Sequence, residues 1–93
     1  MIKYSAVEIE EHLKTLTNWT HEGKYIVKNF VFRDFSEAFA FLTRVALISE
    51  SMDHHAEWSG VYNKVTLKLS THVAGGITSK DFTFAQKVEK LLK

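Results

Sequence analysis

The sequence predicts an α+β fold: a four-stranded antiparallel sheet with helices packed on one face, in the order α-β-β-α-β-β-α. Three observations lead there. Three segments open on helix-capping chemistry and continue with apolar residues at helical spacing. Between them lie runs rich in β-branched and aromatic residues, which read as strands. Those strands come in consecutive pairs separated by helices, a pattern that favours antiparallel hairpins with the helices on one side. At 93 residues the chain is expected to form one domain, residues 1–93.

The first helix starts at Ser5, with Glu8 three positions later to complete a capping box. Its apolar stripe is Ala6, Ile9, Leu13 and Leu16. Trp19 to His21 then reads as a short strand. Glu22-Gly23 is the expected turn, and Lys24 to Phe32 ("KYIVKNFVF") is the partner strand. Asp34 and Glu37 open the second helix. Its main stripe is Phe35, Ala38, Phe39, Leu42, Val45, Ala46 and Ser49. A further apolar set, Phe41, Leu47 and Ile48, lies away from that stripe. A helix apolar over so much of its circumference asks for a second partner, so a homo-oligomer, dimer or tetramer, is expected through these residues. The competing reading is that the sheet and the first helix cover them within one chain. Trp58 to Tyr62 is a weaker strand. Lys64 to His72 alternates cleanly, with Val65, Leu67, Leu69 and Thr71 on one face. Gly75-Gly76 then turns into the third helix, which Thr78 and Asp81 cap and which carries Phe84, Ala85, Val88, Leu91 and Leu92.

Composition removes several functional classes. Apolar residues make up 45% of the chain and charged residues 25%, ordinary for a globular protein. No run of 18 or more apolar residues offers a membrane span. "MIKYSAVEIEEHLK" reaches charged residues too early for a secretory leader. The absence of cysteine excludes disulfides and thiolate chemistry, and a cytoplasmic location is expected. Net charge is +1 with scattered Lys and Arg, so direct nucleic-acid binding is not expected.

The chemistry concentrates in "MDHHAEW", Met52 to Trp58, where two histidines stand between carboxylates and an indole. In a β-hairpin the start of one strand lies beside the end of the next. His72, at the end of the last strand, should therefore return to the neighbourhood of His54 and His55. Three readings compete. A zinc site has three imidazoles in its favour, but adjacent residues diverge, and the helical i, i+4 spacing of zinc proteases is missing. No metal is expected. Hydrogen-bonded structural histidines are the simplest reading of each residue taken alone, and His12 and His21 carry no assigned role. Taken together, the converging group suits general acid–base catalysis, because an imidazole titrates near neutral pH and both gives and takes a proton. Flanking carboxylates can orient imidazoles or accept N–H groups from a heterocycle. Trp58 offers a flat apolar wall to a planar substrate, and is equally readable as a core residue.

The stretch "SESMDHHAEWSGVYNKVTLKLSTHVAGGITSKD", Ser49 to Asp81, resembles the signature region of the pterin-4a-carbinolamine dehydratases, also known as dimerisation cofactors of a homeodomain transcription factor. The resemblance runs through Glu50, Asp53 to His55, Glu57-Trp58, Tyr62 to Val65, Ser70 to His72 and Gly76 to Asp81, and "FRDFSEAFAFLTRVAL" resembles the family's central helix. One departure is Ala56, where the family usually has proline, which would stiffen the turn. The resemblance implies dehydration of 4a-hydroxytetrahydropterin to quinonoid dihydropterin, in tetrahydrobiopterin-type cofactor recycling, without a cofactor. It implies His54 and His72 as the acid–base groups and His55 mainly as a substrate clamp. Glu50, Asp53 and Asp81 would orient imidazoles or bind the pterin edge. Backbone groups of Ser70, Thr71 and His72 would bond the ring, and Trp58 would form part of the wall. The family's second role, stabilising a transcription factor dimer, implies the alternative of a protein-interaction module. The family also forms homotetramers.

Overall fold

A computed structural model describes residues 2–93. The elements are α1 (Ala6–Leu13), β1 (Thr20–Glu22), β2 (Tyr25–Val31), α2 (Phe35–Met52), β3 (Glu57–Val61), β4 (Lys64–Leu69) and α3 (Ser79–Leu91), with a 3₁₀ turn at His72–Ala74 between β4 and α3. The expected order α-β-β-α-β-β-α is therefore present. The strands form one antiparallel sheet in the order β1-β2-β4-β3, so β2 and β4 are central and β1 and β3 are edges.

Local chemistry explains where the helices begin. At α1, Ser5 Oγ accepts from the Glu8 N–H and Glu8 Oε1 accepts from the Ser5 N–H. At α2, Asp34 Oδ1 accepts from the Glu37 N–H at 2.9 Å. The reciprocal bond is displaced by one residue, because Glu37 Oε1 takes the Arg33 N–H. At α3, Asp81 Oδ2 accepts from the Thr78 N–H and Thr78 Oγ1 from the Lys80 N–H. Each bond satisfies a donor that a helix start would otherwise leave without a partner.

The central strands supply the core. Val65, Leu67 and Leu69 on β4 are buried, as their alternation predicts, together with Ile26 and Phe30 on β2 and Phe84, Ala85 and Val88 on α3. Burying one such side chain contributes about 1.5–3 kcal/mol, so the sheet face under α2 and α3 carries most of the stability.

Four expectations need correcting. The first concerns α2. Phe41 is not part of an outer stripe: it is buried against Phe30 and Phe32, with ring centroids 4.8 and 4.9 Å away. Phe35 and Phe39, expected in the core, are 56% and 55% exposed. Ile48 is half-buried and Leu47 exposed, so Phe41, Leu47 and Ile48 do not share one open surface. The second concerns the first hairpin: Glu22 pairs with Tyr25, which moves the turn to Gly23-Lys24, with Gly23 at φ +61°. The third concerns the second hairpin, where β3 begins at Glu57 and the turn is Tyr62-Asn63. The fourth concerns β4, which ends at Leu69. Beyond it, Thr71 bridges Gly76, and His72 opens the 3₁₀ turn, closed by Gly75 at φ +74°.

Candidate active site

Two loops build the site, residues 53–56 between α2 and β3 and residues 70–78 between β4 and α3. The first is aimed by the way α2 ends. Asp53 takes the left-handed conformation, φ 49° and ψ 45°, which short polar residues tolerate better than most. The His54 N–H then returns to the Ser49 carbonyl at 3.0 Å, closing a Schellman-type cap. Asp53 was expected to orient an imidazole or to bind the pterin edge. Its clear task here is to reverse the backbone so that the two following side chains leave in different directions.

His54 goes inward. It is 8% exposed, and its Nε2 lies 2.6 Å from Asp81 Oδ1. The Phe84 ring stands edge-on at 6.1 Å. Asp81 is fully buried, so a carboxylate there must be completely hydrogen-bonded. It is: Thr71 Oγ1 donates to Oδ2 at 2.8 Å, and the Thr78 N–H donates to the same oxygen at 2.9 Å. The Asp81 that caps α3 also holds His54. A hydrogen bond to a charged group contributes about 1.5–3 kcal/mol, and the short separation is that of a charge-assisted bond.

His55 goes outward. It is exposed, and its Nε2 meets Glu50 Oε1 at 3.1 Å, one turn back on α2. His72 is exposed as well. A cleft of about 480 Å³ contains both His55 and His72. Ser70 and Gly75 from the second loop also line it, with Glu57, Lys68, Tyr25 and Lys24 from the outer sheet face and the first hairpin. That size lies within the range of small-molecule sites. Thr71 links the two groups, being the neighbour of His72 in sequence and the hydrogen-bond partner of Asp81 in space.

The structure thus brings His55, Ser70 and His72 to one cleft and joins His54, Asp81 and Thr71 beneath the same loop. It keeps other expected residues apart. Of the two roles expected of Asp81, the geometry matches the orienting of an imidazole: its side chain is buried and bonded to His54 and to the buried Thr71 hydroxyl. The Thr71 backbone is also engaged: its N–H donates to the Gly76 carbonyl, and its carbonyl accepts from the Ala74 N–H. Trp58 stands on the β3 edge opposite Leu67, 61% exposed, outside the His72 cleft. It borders a smaller depression of about 190 Å³ that contains Glu50 and His55.

Three cleft residues had no assigned role in the sequence. Tyr25, Glu57 and Lys68 come together through strand register. Lys68 pairs with Glu57 across the β3–β4 ladder, and its Nζ sits 4.4 Å from the Tyr25 ring centroid. The neighbouring Glu57 carboxylate raises the pKa of the Tyr25 phenol above the usual tyrosine value. The alternation of β4 puts Lys68 on the outer face, but only the pairing register brings Tyr25 and Glu57 beside it. Among the described residues, no helix is long and apolar enough to cross a membrane.

Comparison with known proteins places this geometry. The chain matches the family model described as Pterin 4 alpha carbinolamine dehydratase over residues 2–91. It is 50% identical over 88 residues to a protein of Mesorhizobium japonicum, covering 92% of this chain and 90% of that one. A protein of Sulfurisphaera tokodaii is 45% identical over 92 residues, covering 99% of each. Both carry the name "Putative pterin-4-alpha-carbinolamine dehydratase". Among solved structures, a transcriptional coactivator/pterin dehydratase from Brucella melitensis superposes with a TM-score of 0.93 at 36% identity, covering 96% of this chain and 97% of that one. A pterin dehydratase-like protein identified as a RuBisCO assembly factor in the alpha-carboxysome shares the fold, with a TM-score of 0.64 at 23% identity over 78% of this chain and 84% of that one. The match spans nearly the whole chain and includes both loops of the site: the chain belongs to the pterin 4 alpha carbinolamine dehydratase family.

Proposed function

We propose that this chain, as a single domain over residues 1–93, dehydrates a 4a-hydroxytetrahydropterin to the quinonoid dihydropterin. The observation that carries the proposal is a buried imidazole–carboxylate pair, His54–Asp81, joined through Thr71 to a cleft that holds His55 and His72. The reaction breaks the C4a–O bond and the N5–H bond and releases water. It needs one group to give a proton to the departing hydroxyl and another to take the N5 proton. His54 and His72 perform these steps, each contributing about 10²- to 10⁴-fold. His55, steadied by Glu50, holds the ring, and Ser70 supplies polar contacts at the cleft wall. Burial of Asp81 keeps His54 in place without exposing the carboxylate to substrate. The setting is tetrahydrobiopterin-type cofactor recycling in the cytoplasm. Turnover of 4a-hydroxytetrahydropterin, followed by ultraviolet absorbance, tests it; a rate equal to spontaneous dehydration would sink the reading.

A second reading rests on a different surface. Phe35 and Phe39 on α2 and Trp58 and Val61 on β3 are exposed and flank a groove of about 240 Å³ beside an open strand edge. This groove replaces the set of Phe41, Leu47 and Ile48 as the contact for a homo-oligomer. The same face would serve a protein-interaction role, the alternative suggested by the coactivator in the name of the Brucella melitensis structure. Light scattering of wild type and Phe39→Asp separates the outcomes. Loss of an oligomer supports self-assembly, whereas a wild-type monomer argues against it.

A further inference from the structure

The His54–Asp81 pair is one end of a longer buried chain of hydrogen bonds. Asp81 Oδ1 faces His54 Nε2 at 2.6 Å. Asp81 Oδ2 receives Thr71 Oγ1 at 2.8 Å and the Thr78 N–H at 2.9 Å. Thr71 Oγ1 and Thr78 Oγ1 lie 2.7 Å apart, and the Lys80 N–H donates to Thr78 Oγ1 at 3.2 Å. Counting protons gives this chain a direction. A hydroxyl has one proton to donate, and an ionised carboxylate has none. Thr71 therefore gives its proton to Asp81. Thr78 must then give its proton to Thr71, and it accepts the Lys80 N–H on a lone pair. Donation runs one way, from the first turn of α3 through two hydroxyls into the carboxylate.

The same count fixes the imidazole. Oδ2 of the Asp81 carboxylate already accepts two donors, the Thr71 hydroxyl and the Thr78 N–H. Oδ1 is then an acceptor, and the atom opposite it must carry a proton. Neutral His54 is therefore protonated on Nε2 and bears its lone pair on Nδ1, since the bond made by one ring nitrogen sets the tautomer of the other. Nδ1 has no hydrogen-bond partner in the protein, and among the described residues no buried side-chain nitrogen or oxygen lacks one. Nδ1 therefore reaches the surface.

We propose that Thr71 and Thr78 are positioning residues that lock His54 in its Nε2–H form through Asp81, and that Nδ1 is the atom that exchanges a proton with substrate. The tautomer follows from the hydrogen bonds alone; the proton exchange rests on the dehydratase reading. Thr71 thereby acquires a role other than pterin binding. Thr78, otherwise a helix cap, becomes part of the site.

The test is the ¹⁵N spectrum of histidine-labelled protein above neutral pH, together with steady-state kinetics. Wild-type His54 should show a protonated Nε2 and a bare Nδ1. Thr71→Val keeps the side-chain shape and removes the hydroxyl. It should give a mixture of tautomers and lower kcat about 10-fold with little change in KM. Thr71→Ser should restore both signals, which a purely structural role of the methyl group would not predict. Thr78→Val should act in the same direction, with Thr78→Ser near wild type. A wild-type Nδ1–H signal would overturn the proposal, as would a folded Thr71→Val with unchanged spectrum and kcat. If Thr71→Val fails to fold, the wild-type spectrum and Thr71→Ser still decide the tautomer. If wild type does not turn over the pterin, the spectrum remains decisive for positioning, and only the catalytic half falls.

Discussion

His54 and His55 are neighbours in sequence and opposites in environment. His54 is buried, faces a fully buried carboxylate at 2.6 Å and is anchored to the start of α3. His55 is exposed, with its ring 62% open, and meets a glutamate that is 80% open. An exposed contact of that kind contributes about 0–1 kcal/mol, because water competes for both partners. Asp53 produces the contrast by turning the backbone once. A histidine pair in a sequence is thus no sign of a shared ligand: one left-handed residue is enough to give the two rings different tasks.

The largest expected break in that comparison is kinetic. His54→Ala should lower kcat by about 10²- to 10⁴-fold, whereas His55→Ala should chiefly raise KM. His72→Ala should resemble His54→Ala if, as proposed, the two share the proton transfers. Steady-state rates with 4a-hydroxytetrahydropterin check all three. Full activity in His72→Ala would remove the cleft from the mechanism.

Stability should separate the two carboxylates in the same way. Asp81→Ala leaves His54, Thr71 and the Thr78 N–H without their acceptor inside the protein. Each buried group left unsatisfied costs about 1–3 kcal/mol. Glu50→Ala removes an exposed partner and should cost less than about 1 kcal/mol. Urea unfolding of the two variants measures the difference directly; equal midpoints would mean that the buried network adds nothing to the fold.

How much of this was legible in the sequence depended on the range of the interaction. The caps at Ser5, Asp34 and Thr78 were readable because donor and acceptor lie within four residues. The core face of β4 was readable because alternation has a fixed period of two. The facing of α2 was not. Phe39 and Phe41 are both apolar, and only the position of the sheet decides that Phe41 meets Phe30 while Phe39 faces out. Lys28 gave no signal either. It points into the core face of β2, with Nζ 2.8 Å from Glu89, an acceptor 61 positions away that also takes the Trp19 indole N–H. At the site, the histidines and acids were legible as a set, but their division between cleft and buried network was not. That division depends on the left-handed Asp53 and on the early end of β4, which places His72 in a turn. Tyr25 and Lys68 were missed because strand register, not sequence proximity, places them beside Glu57.

The smallest expected effect separates capping from catalysis. Asp81 and Asp34 both accept backbone N–H groups at helix starts, but Asp34 touches nothing in the site. The backbone N–H of Glu37 holds the Asp34 carboxyl below its ordinary value of 3.8, and the Ser5 N–H similarly holds Glu8 below 4.5. The sign follows from linkage. A carboxylate that binds protons less readily in the folded chain stabilises the fold above its unfolded pKa, and that contribution is lost as pH falls through the folded value. Asp34→Asn keeps an oxygen acceptor at the cap and removes the titration. Its thermal midpoint near neutral pH should change little, and its loss of stability on acidification below about pH 4 should be shallower than that of wild type. Dehydratase activity should be unchanged. An activity loss in Asp34→Asn comparable to that of His54→Ala would mean that helix capping in general, and not the specific His54–Asp81–Thr71 chain, organises the site.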